Sequence, residues 1–166
     1  MSRTGIGKFA ESLACSIERI LAIALIAGVC LNFVNVCGRY LANVSIGGSD
    51  EIEIYILIWI AFLGGAVVSW RGQHLRMDVI VEAAGKSVRR IVTFAEVLLT
   101  GIVAAFVAWQ SILYVRRIYA LGAVSDIAQL PTWIPHSAVP LGLTLTVLAL
   151  ILRAFLGRRP DGEKVQ

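Results

Sequence analysis

Charged residues and metal ligands are scarce in this chain of 166 residues, and the common catalytic signatures are missing. Only 16% of the residues are charged, and there are two histidines and three cysteines. The chain contains no P-loop, no dinucleotide-binding glycine fingerprint, no His-Glu-x-x-His and no Cys-x-x-Cys motif. No nucleophile–base pair stands out. We therefore expect no catalytic, metal, cofactor or substrate site in this chain.

A nucleic-acid partner and a disulfide between Cys30 and Cys37 are also not expected. Basic residues exceed acidic ones by 15 to 11, but they form no run with interleaved aromatic residues. Nucleic acid is therefore not a predicted partner. Cys30 and Cys37 are seven residues apart on one predicted helix, so they cannot form a disulfide with each other.

What the chain does contain is four long apolar stretches. They cover residues 20–36, 54–70, 91–115 and 134–156, and 58% of the chain is hydrophobic. Each stretch has about the 17–25 residues that a helix needs to cross the hydrocarbon of a bilayer. The predicted fold is an all-α membrane protein with four transmembrane helices, a single domain over residues 1–166 surrounded by lipid.

The segment before the first span has apolar residues three and four positions apart, at Ile6, Phe9, Leu13, Ile17 and Ile20. This spacing predicts an amphipathic helix over residues 5–19 that lies on the membrane surface and then turns into the span. The first apolar run is too long for a signal peptide and lacks a signal-peptidase site, so we expect it to be retained.

Lysine and arginine are distributed unequally between the two sides of the predicted membrane. The N-terminal segment, the loop between the second and third spans and the C-terminal tail hold 12 of them, and the two other loops hold 3. The positive-inside rule then predicts that both termini and the middle loop are cytoplasmic.

Polar residues at the predicted external side form a small cluster. Asp50 and Glu53 have the spacing of a capping box at the start of the second span. Arg39 is at the same side, so the sequence favours an ion pair between Arg39 and Asp50, Glu51 or Glu53, with solvated carboxylates as the alternative. Glu96, inside the third span, has three interpretations: a snorkelling side chain, a pair with Arg89 or Arg90, or a site for a coupling ion.

Small residues recur every four positions in several spans. The second span has Ala61, Gly65 and Ser69 with Gly64 beside them, and the fourth has Ala138, Gly142 and Thr146. Such residues let another helix approach closely, which predicts helix-packing faces.

The stretch from Arg39 to Asp78 resembles the small membrane subunit of tripartite ATP-independent periplasmic (TRAP) transporters, the DctQ-like family. The resemblance rests on a set of short matches: Arg39, Ser49-Asp50-Glu51, Trp59, Phe62-Leu63-Gly64-Gly65-Ala66, and the run from Arg71 to Asp78 that contains His74. The candidate structural or subunit-interface residues are accordingly Arg39, Asp50, Glu51, Trp59, Gly64, Gly65, Arg71, His74 and Asp78.

The resemblance implies a scaffold subunit in a bacterial or archaeal cytoplasmic membrane. Its partners would be a large membrane subunit, which carries the substrate and sodium sites, and a periplasmic substrate-binding protein. The complex would import organic acids in symport with sodium. This chain itself would bind neither substrate nor sodium.

Two other functions remain open from the residues. A small proton-coupled multidrug exporter would need a central acid, for which Glu96 is the candidate, although such exporters carry it in their first helix. A membrane anchor for an electron-transfer complex would need haem ligands. His74 and His136 fall on opposite sides in the predicted topology, which argues against a shared haem.

Overall fold

The computed structural model describes residues 2–72 and 86–156, which form four α-helices. These helices are α1 (Ser2–Leu41), α2 (Ser49–Arg71), α3 (Lys86–Leu121) and α4 (Trp133–Leu156). Each contains a segment that is long and apolar enough to cross a membrane. The predicted all-α fold with four membrane-spanning helices is confirmed. Helices suit this composition because they satisfy their own backbone hydrogen bonds in hydrocarbon.

The helices pack side by side in the order α1, α2, α4, α3. α2 contacts α1 on one side and α4 on the other, and α3 packs against α4. Among the described residues, no other pair of helices has more than marginal contact. The inner helices of the row are more buried than the outer ones: in the most apolar 18-residue stretch of each helix, 39% of α4 is buried but only 6% of α1. In the described part of the chain, the helices therefore form an open row, in which α1 also meets α4 through one apolar cluster near its start.

The close contact between α2 and α4 depends on a glycine. A Cβ atom added to Gly142 would lie 2.5 Å from the backbone oxygen of Phe62. Ala138 and Thr146, one turn away on either side, are also buried. The small-residue stripe predicted in the fourth span is thus a packing face, and the helix it receives is α2. Pro140 lies inside α4, and the helix continues through it.

The start of the chain differs from the sequence prediction. A separate amphipathic helix over residues 5–19 is not confirmed, because α1 continues from Ser2 to Leu41 without a break. Phe9, Leu13 and Ile20, which belong to the predicted apolar stripe, are exposed. Of that stripe, Ile17 packs inward, together with Ala10 and Ala14. With Val67 and Trp70 of α2 and Ala149 and Leu152 of α4, they form an apolar cluster.

Two helix boundaries also differ. α2 is capped by Gly48, which has φ 80°, and no side chain caps it. The predicted capping box of Asp50 and Glu53 is therefore wrong, because both residues already lie within the helix. α3 runs to Leu121, so Arg116 and Arg117 are helical and the connection to α4 is shorter than the sequence predicts.

Candidate functional site: polar contacts at the two ends of the row

One end of the row, called here the Glu51 end, is where α1 and α3 finish and α2 and α4 begin. The carboxylate of Glu51 accepts hydrogen bonds from the backbone N–H groups of Ile127 and Ala128, at 3.2 and 2.8 Å. Both donors lie in the loop between α3 and α4. A carboxylate that accepts two adjacent backbone donors makes strong, charge-assisted bonds. Glu51 therefore fastens the α3–α4 loop to the first turn of α2.

The connection between α1 and α2 packs against the same loop. A Cβ atom on Gly48 would lie 2.7 Å from the Cβ of Ala128, and the positive φ of Gly48 is itself unfavourable for other residues. On the α1 side, Asn35 is only 2% exposed, and its side-chain oxygen accepts the backbone N–H of Ile46 at 2.9 Å. This bond holds the α1–α2 loop down against α1.

A second polar pair lies deeper between α1 and α2. The amide nitrogen of Asn32 donates to one carboxylate oxygen of Glu53, Oε2, at 2.8 Å. The other oxygen, Oε1, is buried and has no hydrogen-bond partner in the described part of the chain. An amide and a carboxylate in hydrocarbon are costly unless they bond to each other or to a further partner.

The opposite end, called the Arg71 end, is where α2 and α4 finish and α1 and α3 begin. The guanidinium of Arg71 bonds both carboxylate oxygens of Glu18, at 3.1 and 2.6 Å. The indole nitrogen of Trp70 donates to Glu11 at 3.1 Å. These contacts join α2 to two successive positions along α1, so the first half of α1 lies beside α2.

Arg153 of α4 completes the Arg71 end. Its guanidinium donates to the backbone oxygen of Ser69 at 2.8 Å. Gly72, with φ 67°, ends α2, and a Cβ there would collide with the same guanidinium. Arg153 thus binds a carbonyl at the C-terminus of α2, where the helix dipole favours a positive charge.

The predicted ion pair at the Glu51 end is wrong. Arg39 is exposed, and among the described residues it forms no ion pair with Asp50, Glu51 or Glu53. Glu51 bonds the α3–α4 loop and Glu53 bonds Asn32 instead. Asp50 is exposed in the first turn of α2, where an acidic residue suits the helix dipole.

The remaining candidate residues lie along α2 or beyond it. Trp59 is partly buried, and a Cβ on Gly64 would touch Leu21 of α1 at 3.9 Å. A Cβ on Gly65 would have no atom within 4 Å among the described residues, so Gly65 makes no close packing contact with them. His74 and Asp78 lie outside the described residues, as do the side chains of Arg89 and Arg90 that the sequence offers as partners of Glu96.

The described residues contain no cluster of metal ligands. In residues 2–72 and 86–156, no three histidine, cysteine, aspartate or glutamate side chains lie close enough to hold a metal ion. His136 stacks on Tyr114, with ring centroids 5.3 Å apart. The contacts at both ends instead connect neighbouring helices, as in a protein that holds a fixed shape.

Several of these structural contacts are not evident from the sequence. Arg153 enters the sequence argument only as a positive charge, although its position in the last turn of a span is a weak signal for binding helix C-terminal carbonyls. The donors to Glu51 are backbone N–H groups, which no sequence motif marks. Glu11 and Glu18 recur seven residues apart, a spacing that places them on one side of α1.

Comparison with known proteins identifies the family. The family model for tripartite ATP-independent periplasmic transporters, DctQ component, matches residues 28–159. The chain belongs to the DctQ family. The match includes α2, α4, the whole Glu51 end and the α1 residues from Gly28 onward. DctQ proteins are components of transporters, which is not an enzyme class.

Curated DctQ relatives agree with this assignment. The ectoine TRAP transporter small permease protein TeaB of Halomonas elongata is 30% identical, over 83% of this chain and 74% of the relative. The C4-dicarboxylate TRAP transporter small permease protein DctQ of Vibrio cholerae is 25% identical, over 84% and 68%. The Rhodobacter capsulatus protein named in the same way is 27% identical, over 69% of this chain and about half of its own length, 51%.

The DctQ assignment and the four spans together define a multi-pass protein of the inner membrane that forms part of a tripartite transporter. They favour neither the multidrug exporter nor the electron-transfer anchor.

Proposed function

We propose that this DctQ-family chain is the fixed scaffold subunit of a sodium-coupled TRAP transporter. A large membrane subunit packs beside it and carries the substrate and sodium sites, while a periplasmic protein delivers the solute. The open row of helices is the observation that carries this proposal. In the described part of the chain, α3 packs chiefly on α4, and α1 packs chiefly on α2 and meets α4 only in the cluster near its start. Most of the apolar surface of α1 and α3 is therefore left for lipid or another subunit.

The charges in this chain support a scaffold and not a substrate pathway. Arg39, Arg116 and Arg117 lie near the Glu51 end, and Arg71 and Arg153 lie at the Arg71 end. Within the described parts of the spans, basic side chains are confined to the ends. A carboxylate substrate in the middle of the membrane would then lack a cation, and its burial would be prohibitive. Substrate and sodium sites in the large subunit avoid this cost.

The proposed solute is a small organic acid. Two of the relatives are named for C4-dicarboxylates and one for ectoine, a zwitterion that carries a carboxylate. The chemistry shared by these compounds is the carboxylate. We also propose that both termini are cytoplasmic, from the asymmetric distribution of lysine and arginine.

Reconstitution in liposomes tests the proposal. Vesicles that contain this chain, the large subunit and the binding protein should accumulate succinate or ectoine when an inward sodium gradient is imposed. Vesicles with this chain alone should show only passive leakage under either a sodium or a proton gradient. Saturable, gradient-driven flux through this chain alone would contradict the scaffold function.

A further inference from the structure

The Asn32–Glu53 pair lies in a crevice between α1 and α2. The crevice has a volume of about 190 Å³, and its walls are otherwise apolar, with Leu25 and Val29 from α1 and Ile56 and Leu57 from α2. Leu25, Val29 and Leu57 are exposed. The crevice therefore opens sideways from the row, toward whatever surrounds α1 and α2 in the membrane.

The crevice also has a defined depth. Glu53 is the fifth residue of α2, so it lies about 6 Å along the helix axis from the start of α2. Leu25 lies about 10 Å nearer the start of α1 than Asn32 does. Asn32 in turn lies nine residues before the end of α1. The carboxylate therefore lies about one helical turn inside the start of α2, among the apolar side chains of the crevice.

One half of the Glu53 carboxylate is left without a donor. Oε2 accepts from Asn32, whereas Oε1 is shielded and has no hydrogen-bond partner among the described residues. The residues that line the crevice include no lysine, arginine or histidine. To remain ionised in such surroundings, the carboxylate needs a cation or a donor from outside the chain.

We propose that a lysine or arginine side chain from a transmembrane helix of the large subunit enters this crevice and pairs with Glu53. This inference rests on the proposed function, because it assigns the large subunit to the α1–α2 side of the row. The apolar walls suit the methylene stem of such a side chain, and Glu53 with Asn32 receives its charged head.

A protein side chain fits this crevice better than a lipid head group. The ammonium of an ethanolamine lipid is covalently linked to a phosphate, which would come close to the Glu53 carboxylate. The crevice lining offers no basic residue to neutralise that phosphate. Lysine and arginine bring the cation without an attached anion.

The first arm of the test compares two acids in the same part of α2. Glu53→Gln should lower the amount of large subunit that co-purifies with this chain at least about tenfold, because it leaves the partner's cation buried and unpaired. Asp50→Asn removes the same charge from an exposed position three residues away and should change the yield less than about twofold. Equal effects of the two variants would overturn the inference.

The second arm identifies what occupies the crevice and does not depend on Glu53. A photo-crosslinking residue replaces Leu57 in the complete complex, with Phe106, on the exposed face of α3, as the control position. The Leu57 probe should link to a segment of the large subunit with a lysine or arginine within about one helical turn. Crosslinks to lipid alone, or to a segment without a basic residue, would overturn the inference.

A third variant separates loss of folding from loss of the pair. When Glu53→Met is combined with a methionine at the crosslinked basic residue of the large subunit, co-purification should return to within about twofold of the wild type, since no buried charge remains. Continued loss would overturn the pairing. If no large subunit co-purifies with the wild-type chain, the proposed function is contradicted together with this inference.

Discussion

Arg71 and Glu18 form a two-pronged ion pair, in which both carboxylate oxygens of Glu18 bond the guanidinium of Arg71. The pair ties the last residue of α2 to a residue near the middle of α1. It belongs to the Arg71 end, where Glu11, Trp70 and Arg153 also join neighbouring helices.

A double-mutant cycle should detect this pair. Glu18→Ala and Arg71→Ala should couple by about 0.5–1 kcal/mol in the free energy of unfolding, a modest value because the two side chains are partly exposed, at 53% and 24%. Reversible unfolding of the purified chain in mixed micelles provides the measurement.

The matched control is Arg39→Ala with Glu51→Ala. These residues form no ion pair with each other in the described structure, so their effects should add to within about 0.5 kcal/mol. Coupling of Arg39 with Glu51 as large as that of the Arg71 pair would contradict the arrangement of the Glu51 end.

Glu51→Gln should loosen the loop between α3 and α4. The amide keeps one acceptor oxygen but loses the charge and the second acceptor, so the loop N–H groups are held less tightly. Hydrogen exchange at the amides of Ile127 and Ala128 should then become about tenfold faster for each 1.4 kcal/mol lost, if local opening limits exchange.

Asp50→Asn is the control for that measurement, since Asp50 is exposed and does not bond this loop. Its exchange rates at residues 127 and 128 should equal those of the wild type. Unchanged exchange in Glu51→Gln would show that the carboxylate does not hold the loop.

Two glycine-to-leucine changes should have different effects. Gly142→Leu should lower the free energy of unfolding of the chain itself by about 1–3 kcal/mol or more, because the added side chain collides with the backbone of α2 at Phe62. Gly65→Leu should leave the chain folded, because no described residue occupies the space beside Gly65, but it should reduce co-purification with the large subunit.

Unfolding of the chain alone and recovery of the complex are therefore measured for both variants. Normal complex yield and normal uptake with Gly65→Leu would exclude an essential partner contact at that position.

The prediction of cytoplasmic termini has a direct test. A reporter fused after Gln166 and one inserted near Gly47 should report opposite sides of the membrane, with the C-terminal reporter cytoplasmic. This follows from the 12-to-3 distribution of lysine and arginine. If both reporters were on the same side of the membrane, the prediction of four spans would be contradicted. If the C-terminal reporter were external and the one near Gly47 cytoplasmic, the positive-inside rule would not hold for this chain.

The spans could be predicted from the sequence because hydrophobicity over about 20 residues has few competing explanations. The order of the helices in the row could not. Small residues on α2 and α4 predict close packing, but the spacing around Gly142 does not identify Phe62 as its neighbour. Gly65 has the same spacing and no close neighbour among the described residues.

The polar contacts show a similar limit. Residues on one side of the membrane can be grouped from topology, which placed Arg39 with the acids of α2. Topology does not identify which hydrogen-bond partner each acidic side chain has. Glu51, for example, accepts from backbone N–H groups of a loop that is distant in the sequence. The capping-box prediction is wrong for a local reason. Gly48, with positive φ, is the N-cap, so α2 begins at Ser49 and Asp50 lies inside the helix instead of capping it.

The open row makes the described helices resemble a one-dimensional stack, in which each helix depends mainly on its immediate neighbours. Stability in such an array accumulates interface by interface. α1 and α3 are the two ends and should fray first, whereas the α2–α4 pair, closed by Gly142 and clamped by Arg153, should be the last unit to separate. Binding of a subunit along α1 would turn a terminal helix into an internal one, so assembly would protect the weakest edge of the stack.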